Sequence, residues 1–500
     1  MEQLLEGLIL LLNWQAFLAM TVGTILGLIV GAIPGVGPVQ LLPLSLPFTF
    51  AMQPVPALLF LLGEFVGGIY GGSISAILVN TPGTPSSIAT TFDGYPMARQ
   101  GKAGKALRMA LVGSVVGDIV ATTVLIVLAE RLARLALAFG PPELVGVILL
   151  SLTLVVSVEK TSLTKGFIAA AIGGLLALVG SDSITGTSRF VFGIPALLNG
   201  VGIVPLLMGL FSISEILLLA ERRLLARDQT VIDLGNESRE NRSLSFAEIW
   251  QTRGAMGRGC LVGVVIGILP GLGSSAAAML AYGFARRGST NPEAFGKGSL
   301  EGIAAPETAN NAETSGALLP FFVLGIPGSS LVAILGGAFL MHGLDPGPQL
   351  FQQHGDKMYA IYCGLYAVNL VLLVVGFFCM GLFHYIVRVP RDILLAGVLL
   401  LAVVGTYAIE SSLTDVWLMI FFGFAGYGMR KVGVPVSPLL IAYLLVPILE
   451  HNFRQTLLIS GGSYSIFFER PAAATILAAA IGWIAWCMIS PLWRARRADS

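Results

Sequence analysis

The chain has 500 residues, of which 55% are hydrophobic and 11% charged, and its formal net charge at pH 7 is +1. Soluble domains carry about 25% charged residues, so this composition excludes an ordinary water-soluble protein and indicates an integral membrane protein. The small net charge excludes nucleic-acid binding driven by bulk electrostatics.

The N-terminal segment, residues 1–15, is apolar and has no Lys or Arg ahead of its apolar run. A secretory signal carries a basic region there. We therefore expect this segment to belong to the mature protein, either as an interfacial helix or as the start of a span.

Apolar runs of about the length needed to cross roughly 30 Å of hydrocarbon recur along the chain. The candidate spans are 17–33, 55–80, 109–129, 142–158, 166–180, 196–220, 257–285, 313–342, 359–387, 393–409, 415–429, 433–450 and 471–491. Several are short or interrupted by Gly and Pro. The prediction is an all-α integral membrane protein with about 10–12 transmembrane helices, some of them broken or re-entrant helical hairpins.

Basic residues in two polar segments predict the orientation. Residues 221–258 form the longest polar stretch, and both this stretch and the loop at 99–108 are rich in Arg and Lys. The positive-inside rule places both in the cytoplasm. Asp93, just before the second segment, is predicted to lie in a cytoplasmic loop without a chemical role. The predicted domains are a first membrane repeat (1–220), a cytoplasmic linker (221–258), a second membrane repeat (259–450), and a C-terminal span with a basic cytoplasmic tail (451–500).

A pattern of glycine and proline, G-x-x-x-G-x-x-P-G-x-G, occurs twice. It runs from Gly27 to Gly37 and again from Gly263 to Gly273, and a second Pro-Gly motif follows each copy. Frequent glycine and ordinary helix packing explain the spaced glycines by themselves. They do not explain paired Pro-Gly motifs at matching places, so we predict an internal repeat.

The loops of the two halves differ in charge. Between its two Pro-Gly motifs the first half is uncharged near 48–56, whereas the second half has Arg286, Arg287 and Lys297. After the second motif, the first half is basic and the second is not. Corresponding loops would lie on opposite sides of the membrane, which predicts an inverted-topology repeat of the kind found in many secondary transporters.

The Pro-Gly motifs also predict a binding site. Proline ends the helical hydrogen-bond ladder, and the freed backbone groups are tolerated at membrane depth only beside protein or a water-filled cavity. Freed N–H groups attract anions and freed carbonyls attract cations. The predicted substrate-binding residues are Asn80, Thr81, Pro82, Gly83, Thr84, Pro85, Ser86, Ser87, Gly325, Pro327, Gly328, Ser329 and Ser330. The alternative is that these hydroxyls bond back to their own helices.

Ionisable and amide side chains inside apolar segments are functional candidates by default. Glu64 and Asp118 are two of them, and the run 307–314 is a third. The interpretation we favour for this run is the lining of a polar cavity. The alternative for Glu307 and Thr308 is a helix N-cap and first turn rich in acids. The predicted ion-coupling residues are Pro34, Gly35, Gly37, Pro270, Gly271, Gly273, Ser274, Asn310, Asn311, Glu313 and Thr314, with Na⁺ as the candidate coupling ion and no other metal or cofactor expected.

At these motifs the chain resembles the large, TctA-type subunit of bacterial tripartite tricarboxylate transporters. The stretches 31–38, 70–107, 268–277 and 301–330 carry the resemblance. It implies a multi-pass permease of the cytoplasmic (inner) membrane that works with a small membrane subunit (TctB type) and a periplasmic solute-binding protein (TctC type). It also implies uptake of di- or tricarboxylates driven by Na⁺ or H⁺.

Other functions remain as alternatives at this point. A passive channel, or a transporter for another small organic anion, fits the same composition. A lipid-modifying enzyme fits less well, because no His/Asp/Ser constellation is found. A nucleotide-hydrolysing site is not found either, because the P-loop pattern fails near Lys297. We therefore expect no enzyme activity, and energy coupling through an ion gradient.

Overall fold

The computed structural model describes residues 2–158, 162–182, 184–223, 238–387 and 391–498. The predicted cytoplasmic linker (221–258) is described in part. Its residues 221–223 and 238–258 include helical segments, and its residues 224–237 lie outside the described ranges. The first half of the chain contains α1 (Glu2–Leu12), α2 (Trp14–Gly31), α3 (Pro38–Phe50), α4 (Pro54–Val79), α5 (Ile88–Arg99), α6 (Ala103–Ala136), α7 (Pro141–Val158), α8 (Leu163–Ala177), α9 (Ile203–Leu207) and α10 (Ser214–Arg223).

The second half has the same all-helical character. It contains α11 (Arg239–Arg242), α12 (Phe246–Gln251), α13 (Arg253–Ile268), α14 (Gly273–Gly288), α15 (Leu300–Leu324), α16 (Ser330–Met341), α17 (Leu350–Gln353), α18 (Gly355–Phe378), α19 (Phe383–Ile386), α20 (Arg391–Glu410), α21 (Leu413–Lys431), α22 (Ser437–Ile459), α23 (Ile466–Glu469) and α24 (Pro471–Ala498). In the described ranges the strands are β1 (Gly180–Ser181) and β2 (Ser188–Arg189), which pair antiparallel with Gly180 opposite Arg189.

Six helices among the described residues are long and apolar enough to cross a membrane. They are α2, α4, α6, α18, the first 19 residues of α24, and the continuous helix Ile203–Glu221, in which a π-helical turn joins α9 to α10. Shorter apolar helices accompany them, including most of α7 and α8 and the whole of α16. The predicted all-α membrane architecture is confirmed, whereas the number of crossings stays a prediction.

Glycines four residues apart let α2 pack closely on α4. A Cβ atom added to Gly23, Gly27 or Gly31 would lie 2.1–2.3 Å from a backbone oxygen of α4, too close for any side chain. The oxygens belong, in order, to Phe60, Glu64 and Gly68. Such small-residue stripes allow helix backbones to approach within van der Waals contact in membranes.

The same contact is built between α13 and α15. A Cβ atom on Gly259, Gly263 or Gly267 would lie 2.4–2.8 Å from the backbone oxygens of Ala305, Ala309 and Glu313 respectively. The positions correspond with one offset for α2 and α13 (259 − 23 = 236) and another for α4 and α15 (305 − 60 = 245). The two glycine stripes therefore occupy matching places in matching helix pairs.

Helices of the two halves interlock. The long helix α6 of the first half packs along α15 of the second, and α18 of the second half packs against α4 and α6 of the first. In the same way α14 contacts α5, and α3 contacts α16. The helices α4 and α15 are consequently buried at the centre, and 94% of the apolar part of α4 is inside the protein.

Candidate functional site

The first Pro-Gly motif of each half forms a gap between two helices, which we call the early break (residues 32–37 and 269–272). In the first half α2 ends at Gly31 and α3 begins at Pro38, and in the second half α13 gives way to α14. Gly35 has φ +81° and Gly271 has φ +95°. Glycine is favoured at both positions, because a side chain is strained at such positive φ.

The second Pro-Gly motif of each half also ends a helix, and we call these segments the late breaks (residues 80–87 and 325–329). Helix α4 ends with Asn80 at φ 55°, and α15 ends with Gly325 at φ 74°, both left-handed. The side chain of Ser329 then accepts the N–H of Val332 and caps α16. The interruptions predicted in the candidate spans are present at these places.

The early and late breaks of each half touch each other. In the second half the N–H of Gly271 donates to the carbonyl of Gly328 at 2.9 Å. In the first half a Cβ atom on Gly37 would lie 3.1 Å from the Thr84 methyl group and 3.3 Å from the carbonyl oxygen of Gly83. Motifs separated by more than forty residues in sequence are thus adjacent in space in both halves.

The predicted site residues have both buried and accessible members. Asn80 and Pro85 are exposed, so the late break of the first half reaches the surface of the isolated chain. The buried members are Pro34, Gly37, Gly83, Thr84, Ser86, Ser87, Pro270, Asn310, Asn311, Glu313, Thr314, Gly325, Pro327 and Gly328, and the partly exposed ones are Gly35, Thr81, Pro82, Gly271, Gly273, Ser274, Ser329 and Ser330.

Glu307 is the centre of a buried hydrogen-bond network. Its Oε1 accepts the hydroxyls of Ser73, at 2.5 Å, and Thr90, and its Oε2 accepts the hydroxyl of Ser114 at 3.2 Å. Helix α15 begins at Leu300 and is capped by Ser299. The alternative that Glu307 and Thr308 form an N-cap and first turn is therefore wrong, because both lie well inside the helix.

The hydroxyls of the first late break belong to the same network. Ser73 contacts Ser87 at 3.1 Å, and Thr84 contacts both Ser87 and Ser86 at 2.9 Å. Thr84, Ser86 and Ser87 therefore bond to one another and not back to their own helix. The Thr81 hydroxyl does donate to the carbonyl of Val79 at 3.4 Å, so the alternative holds at that position. In the second half, Ser330 instead contacts Ser437 of α22 at 2.8 Å.

One turn beyond Glu307, α15 carries buried polar atoms that have no partner in the structure. These atoms are Oγ1 of Thr308, both side-chain heteroatoms of Asn310, Oδ1 of Asn311 and Oε1 of Glu313. Burying such atoms without a hydrogen bond is costly. A concentration of them on one helix is typical of a place where water, an ion or a ligand binds.

Two further buried acids accept hydrogen bonds from neighbouring side chains. Asp118 accepts the Ser315 hydroxyl at 2.6 Å and the Asn369 amide, so its network joins α6, α15 and α18. Glu64 accepts the Ser45 hydroxyl at 2.6 Å, while its second oxygen has no partner.

Comparison with known proteins identifies the family. The family described as the tripartite tricarboxylate transporter TctA family matches residues 17–441. The chain belongs to the tripartite tricarboxylate transporter TctA family. It is therefore a multi-pass transporter subunit, and membership implies a tripartite assembly with other subunits.

Two relatives of this TctA-family chain occur in Agrobacterium vitis. An uncharacterised 52.8 kDa protein in the 3′ region of ttuC′ in TAR-I is 36% identical over 476 residues, which cover 95% of this chain and 93% of the relative. An uncharacterised protein in the 3′ region of ttuC′ in TAR-II is 34% identical over 215 residues, covering 43% of this chain and 89% of the relative. No solved structure matches the chain.

The position of Asp93 corrects a prediction about this TctA-family chain. Asp93 is fully buried in α5 and does not lie in an exposed loop. Its Oδ1 accepts the backbone N–H groups of Gly296, Gly298 and Ser299 at 2.7–2.9 Å, and its Oδ2 accepts the hydroxyl of Tyr282 at 2.9 Å. Asp93 thus fastens the segment that leads into α15. The neighbouring Arg and Lys residues concealed this role, because they are typical of a solvated loop.

An apolar cavity of about 460 Å³ lies beside the first early break of the TctA-family chain, between α2, α3, α10 and α20. Gln40, Ser45, Ser212 and Glu215 contribute to its wall. The rest of the lining is apolar, which suits hydrocarbon better than a carboxylate. The polar groups that could bind a small anion are at the breaks and along α15.

Proposed function

We propose that this chain is the large permease subunit of a binding-protein-dependent secondary transporter that takes up small di- or tricarboxylates together with Na⁺ or H⁺. The observation that carries the proposal is the contact between early and late breaks in both halves. It gathers freed backbone groups and hydroxyls at two matching places, beside the buried acid Glu307 and the unpartnered amides of α15. Broken helices in paired repeats are the usual construction of a substrate site in secondary transporters.

The proposed inverted topology is supported by a contact between two basic loops. Gln100, in the loop after the first late break, donates to the carbonyl of Lys297, in the loop between the two breaks of the second half. Loops at different places in the repeat thus meet at one end of the molecule. This arrangement is expected if the halves are inverted and both basic loops face the cytoplasm.

The proposed substrate site comprises the late breaks, with the early breaks and residues 310–314 for the coupling ion. Hydroxyl and backbone N–H donors suit a carboxylate, whereas the carbonyl and amide oxygens suit a partly dehydrated cation. The proposed partners are a small TctB-type membrane subunit and a periplasmic TctC-type solute-binding protein, and the proposed location is the bacterial inner membrane.

Uptake by proteoliposomes tests this function. The chain would be reconstituted with its small membrane subunit and supplied with the solute-binding protein and a radiolabelled tricarboxylate. We expect accumulation that requires a Na⁺ or H⁺ gradient, and a reduced rate for Pro327→Ala and Gly83→Ala despite normal membrane insertion. Gly27→Ala is the matched control for Gly83→Ala, because the added Cβ atoms would lie 2.3 and 2.2 Å from a backbone oxygen, whereas Gly27 lies outside the breaks.

The outcomes separate the parts of the proposal. Equilibration without any gradient dependence would exclude a secondary transporter and favour a passive channel. Wild-type uptake by both Pro327→Ala and Gly83→Ala would remove the late breaks from the site. Glu313→Gln is expected to change the ion dependence of uptake, because its unpartnered oxygen is a candidate cation ligand.

A further inference from the structure

Glu307 lies where side chains of both halves converge. It belongs to α15 of the second half, yet its three hydroxyl partners Ser73, Thr90 and Ser114 come from α4, α5 and α6 of the first. All four side chains are at most 1% exposed. The hydrogen bonds of this one carboxyl group therefore depend on the relative positions of α4, α5, α6 and α15.

A continuous chain of hydroxyls joins Glu307 to the late break of the first half. It runs from Ser73 to Ser87, then to Thr84, and ends at Ser86. Ser86 is itself buried, and it directly follows Pro85, which is exposed. The buried acid is therefore connected by hydrogen bonds alone to the hydroxyl that follows the exposed residue of the break.

The protonation state of Glu307 sets the direction of this chain. Each hydroxyl has one proton to donate, and an ionised carboxylate can only accept. When Glu307 is ionised, Ser73 must donate to it, Ser87 to Ser73, Thr84 to Ser87 and Ser86 to Thr84. Every proton then points toward Glu307, and the Ser86 end of the chain presents oxygen lone pairs.

Protonation of Glu307 reverses the order. The carboxylic acid can donate to Ser73, and each following hydroxyl can donate to the next, so the proton of Ser86 turns outward. Chains of hydrogen bonds polarise one another in this cooperative way. A donor surface binds a carboxylate, whereas a surface of lone pairs repels it.

We propose that proton binding at Glu307 reverses the Ser73–Ser87–Thr84–Ser86 chain and thereby makes the first late break competent to bind a substrate carboxylate. The inference rests on the proposed function and names the mechanism of its coupling. The proton comes from solvent and is held on Oε1 of Glu307, and no covalent bond to the substrate forms. By linkage, the substrate must increase proton affinity by the same factor by which the proton increases substrate affinity.

The charged groups that the structure describes near α15 are not paired with Glu307. Among the described residues no Lys, Arg or His forms an ion pair with Glu307. Tyr70 on α4 interacts electrostatically with Glu307, and its hydroxyl donates to the carbonyl of Leu107 at 3.3 Å. The other titratable side chains on the packed helices that have a partner are Glu64 (Ser45), Asp93 (loop 296–299), Lys105 (Glu248), Arg108 (over Phe377), Asp118 (Ser315 and Asn369), Arg258 (Gly288), Tyr282 (Asp93) and Glu301 (Ser289). The same helices also carry Tyr95, Arg99, Glu130, Arg131, Arg134, Arg253, Cys260, Arg286, Arg287, Glu313 and, after α16, His342.

The test is tricarballylate binding to the purified chain in lipid nanodiscs, by calorimetry at several pH values and in buffers of different ionisation enthalpy. For the wild type, we expect the Kd to rise about tenfold per pH unit above the titration of Glu307, since one proton is bound with the ligand. The titration of the ligand itself is common to all variants and cancels in the comparison.

The variants distinguish coupling from a structural role. Glu307→Gln places a permanent N–H donor beside Ser73, so it should bind with the affinity that the wild type has at low pH and lose the proton uptake. Ser73→Ala breaks the chain. Its Kd should be at least tenfold higher than that of the wild type at low pH, and its binding should take up no proton. Ser87→Ala breaks the next link and gives the same test if Ser73→Ala fails to fold.

Ser315→Ala is the matched control. Ser315 is also a fully buried serine that donates to a carboxylate, Asp118, but its network does not reach the break. It should keep the pH dependence of the wild type. Proton-coupled binding that persists in Glu307→Gln or in Ser73→Ala, or its absence in the wild type, would overturn the inference. A wild type that binds no di- or tricarboxylate would overturn the proposed function and this inference together.

Discussion

The late break of the first half carries the buried hydroxyls of Thr84, Ser86 and Ser87, whereas the late break of the second half has Ile326 and Pro327 in its interior. The difference in polarity is reversed in the helices that precede the late breaks, because α15 is polar where α4 is apolar. Glu307, Asn310, Asn311, Glu313 and Thr314 of α15 correspond, at the offset of 245, to Leu62, Phe65, Val66, Gly68 and Ile69 of α4. One half thus contributes a polar break and the other a polar helix.

The glycine stripes explain how chemistry can differ while geometry is kept. Contacts of α2 with α4, and of α13 with α15, are made by glycine Cα atoms and backbone oxygens, so they do not depend on the side chains that face elsewhere. The two halves can therefore diverge in polarity without changing their packing. The comparison teaches that the proposed site would be a composite of unlike halves. Three predictions test this comparison, and a fourth concerns a group outside both.

The largest expected effect is on stability, and it should be equal in the two halves. In Gly27→Ala and Gly263→Ala the new methyl group would lie 2.3 and 2.4 Å from a backbone oxygen, which cannot move aside. We expect each to lower the free energy of unfolding by about 3 kcal/mol, measured by thermal or denaturant unfolding in detergent. Gly257→Ala on α13 should be neutral or slightly stabilising, since its Cβ meets nothing within 4 Å. A clear effect in one half only would contradict the matching of the stripes.

The second expected effect is specific to one half. Asp93 accepts three backbone N–H groups, and its counterpart at the offset of 245 is Ala338. Asp93→Asn should lower the free energy of unfolding by about 2 kcal/mol, because the amide keeps one acceptor oxygen but loses the negative charge and the second acceptor. It should also speed trypsin cleavage after Lys297, which is exposed in the loop that Asp93 holds.

Asp356→Asn, at the partly exposed start of α18, is the control for this change. It should leave both unfolding and cleavage unchanged. Equal cleavage rates for Asp93→Asn and the wild type would mean that the loop is held by other contacts.

The third effect compares the late breaks in transport. Thr84→Val keeps the shape of the side chain but removes its two hydroxyl contacts, and it should lower uptake about tenfold, as expected for about 1.4 kcal/mol of binding free energy. Ser329→Ala, at the matching position, should lower uptake less, because its hydroxyl accepts only the cap N–H of Val332. Initial rates in proteoliposomes measure both, and a larger loss in Ser329→Ala would reverse the assignment of polarity to the halves.

The smallest effect is a pH response outside the spans. The N–H groups of Ile184 and Thr185, with Arg454, hold the pKa of Asp182 well below its usual range. A depressed pKa contributes stability above the unfolded value of about 3.9, and that contribution is lost as pH falls through the folded value. The unfolding temperature should therefore be insensitive to this group from about pH 5 to 8. In Arg454→Gln the folded pKa of Asp182 should rise toward the unfolded value, so the acid-induced decrease should be smaller and should end at a higher pH. A pH response near neutrality would come from another group.

The sequence predicted the breaks well, because Gly and Pro determine the backbone locally. The candidate span 55–80 closely matches α4, and the interruptions at residues 80–87 and 325–330 are where helices end. The roles of Asp93 and Glu307 could not be read in this way. Asp93 is more than two hundred positions from Gly296, and Glu307 is 234 from Ser73, so only the folded chain brings these partners together. The substrate and ion assignments stay predictions.

The interlocking of α6 with the second half has a consequence for biogenesis. Asp118 is synthesised 197 residues before Ser315 and 251 residues before Asn369, the partners that bind its two oxygens. During synthesis α6 is therefore complete before either partner of its buried acid exists, and an unpaired acid is costly in a lipid environment. A chain truncated after the first half would lack both partners, so we expect it to insert less stably than the full chain.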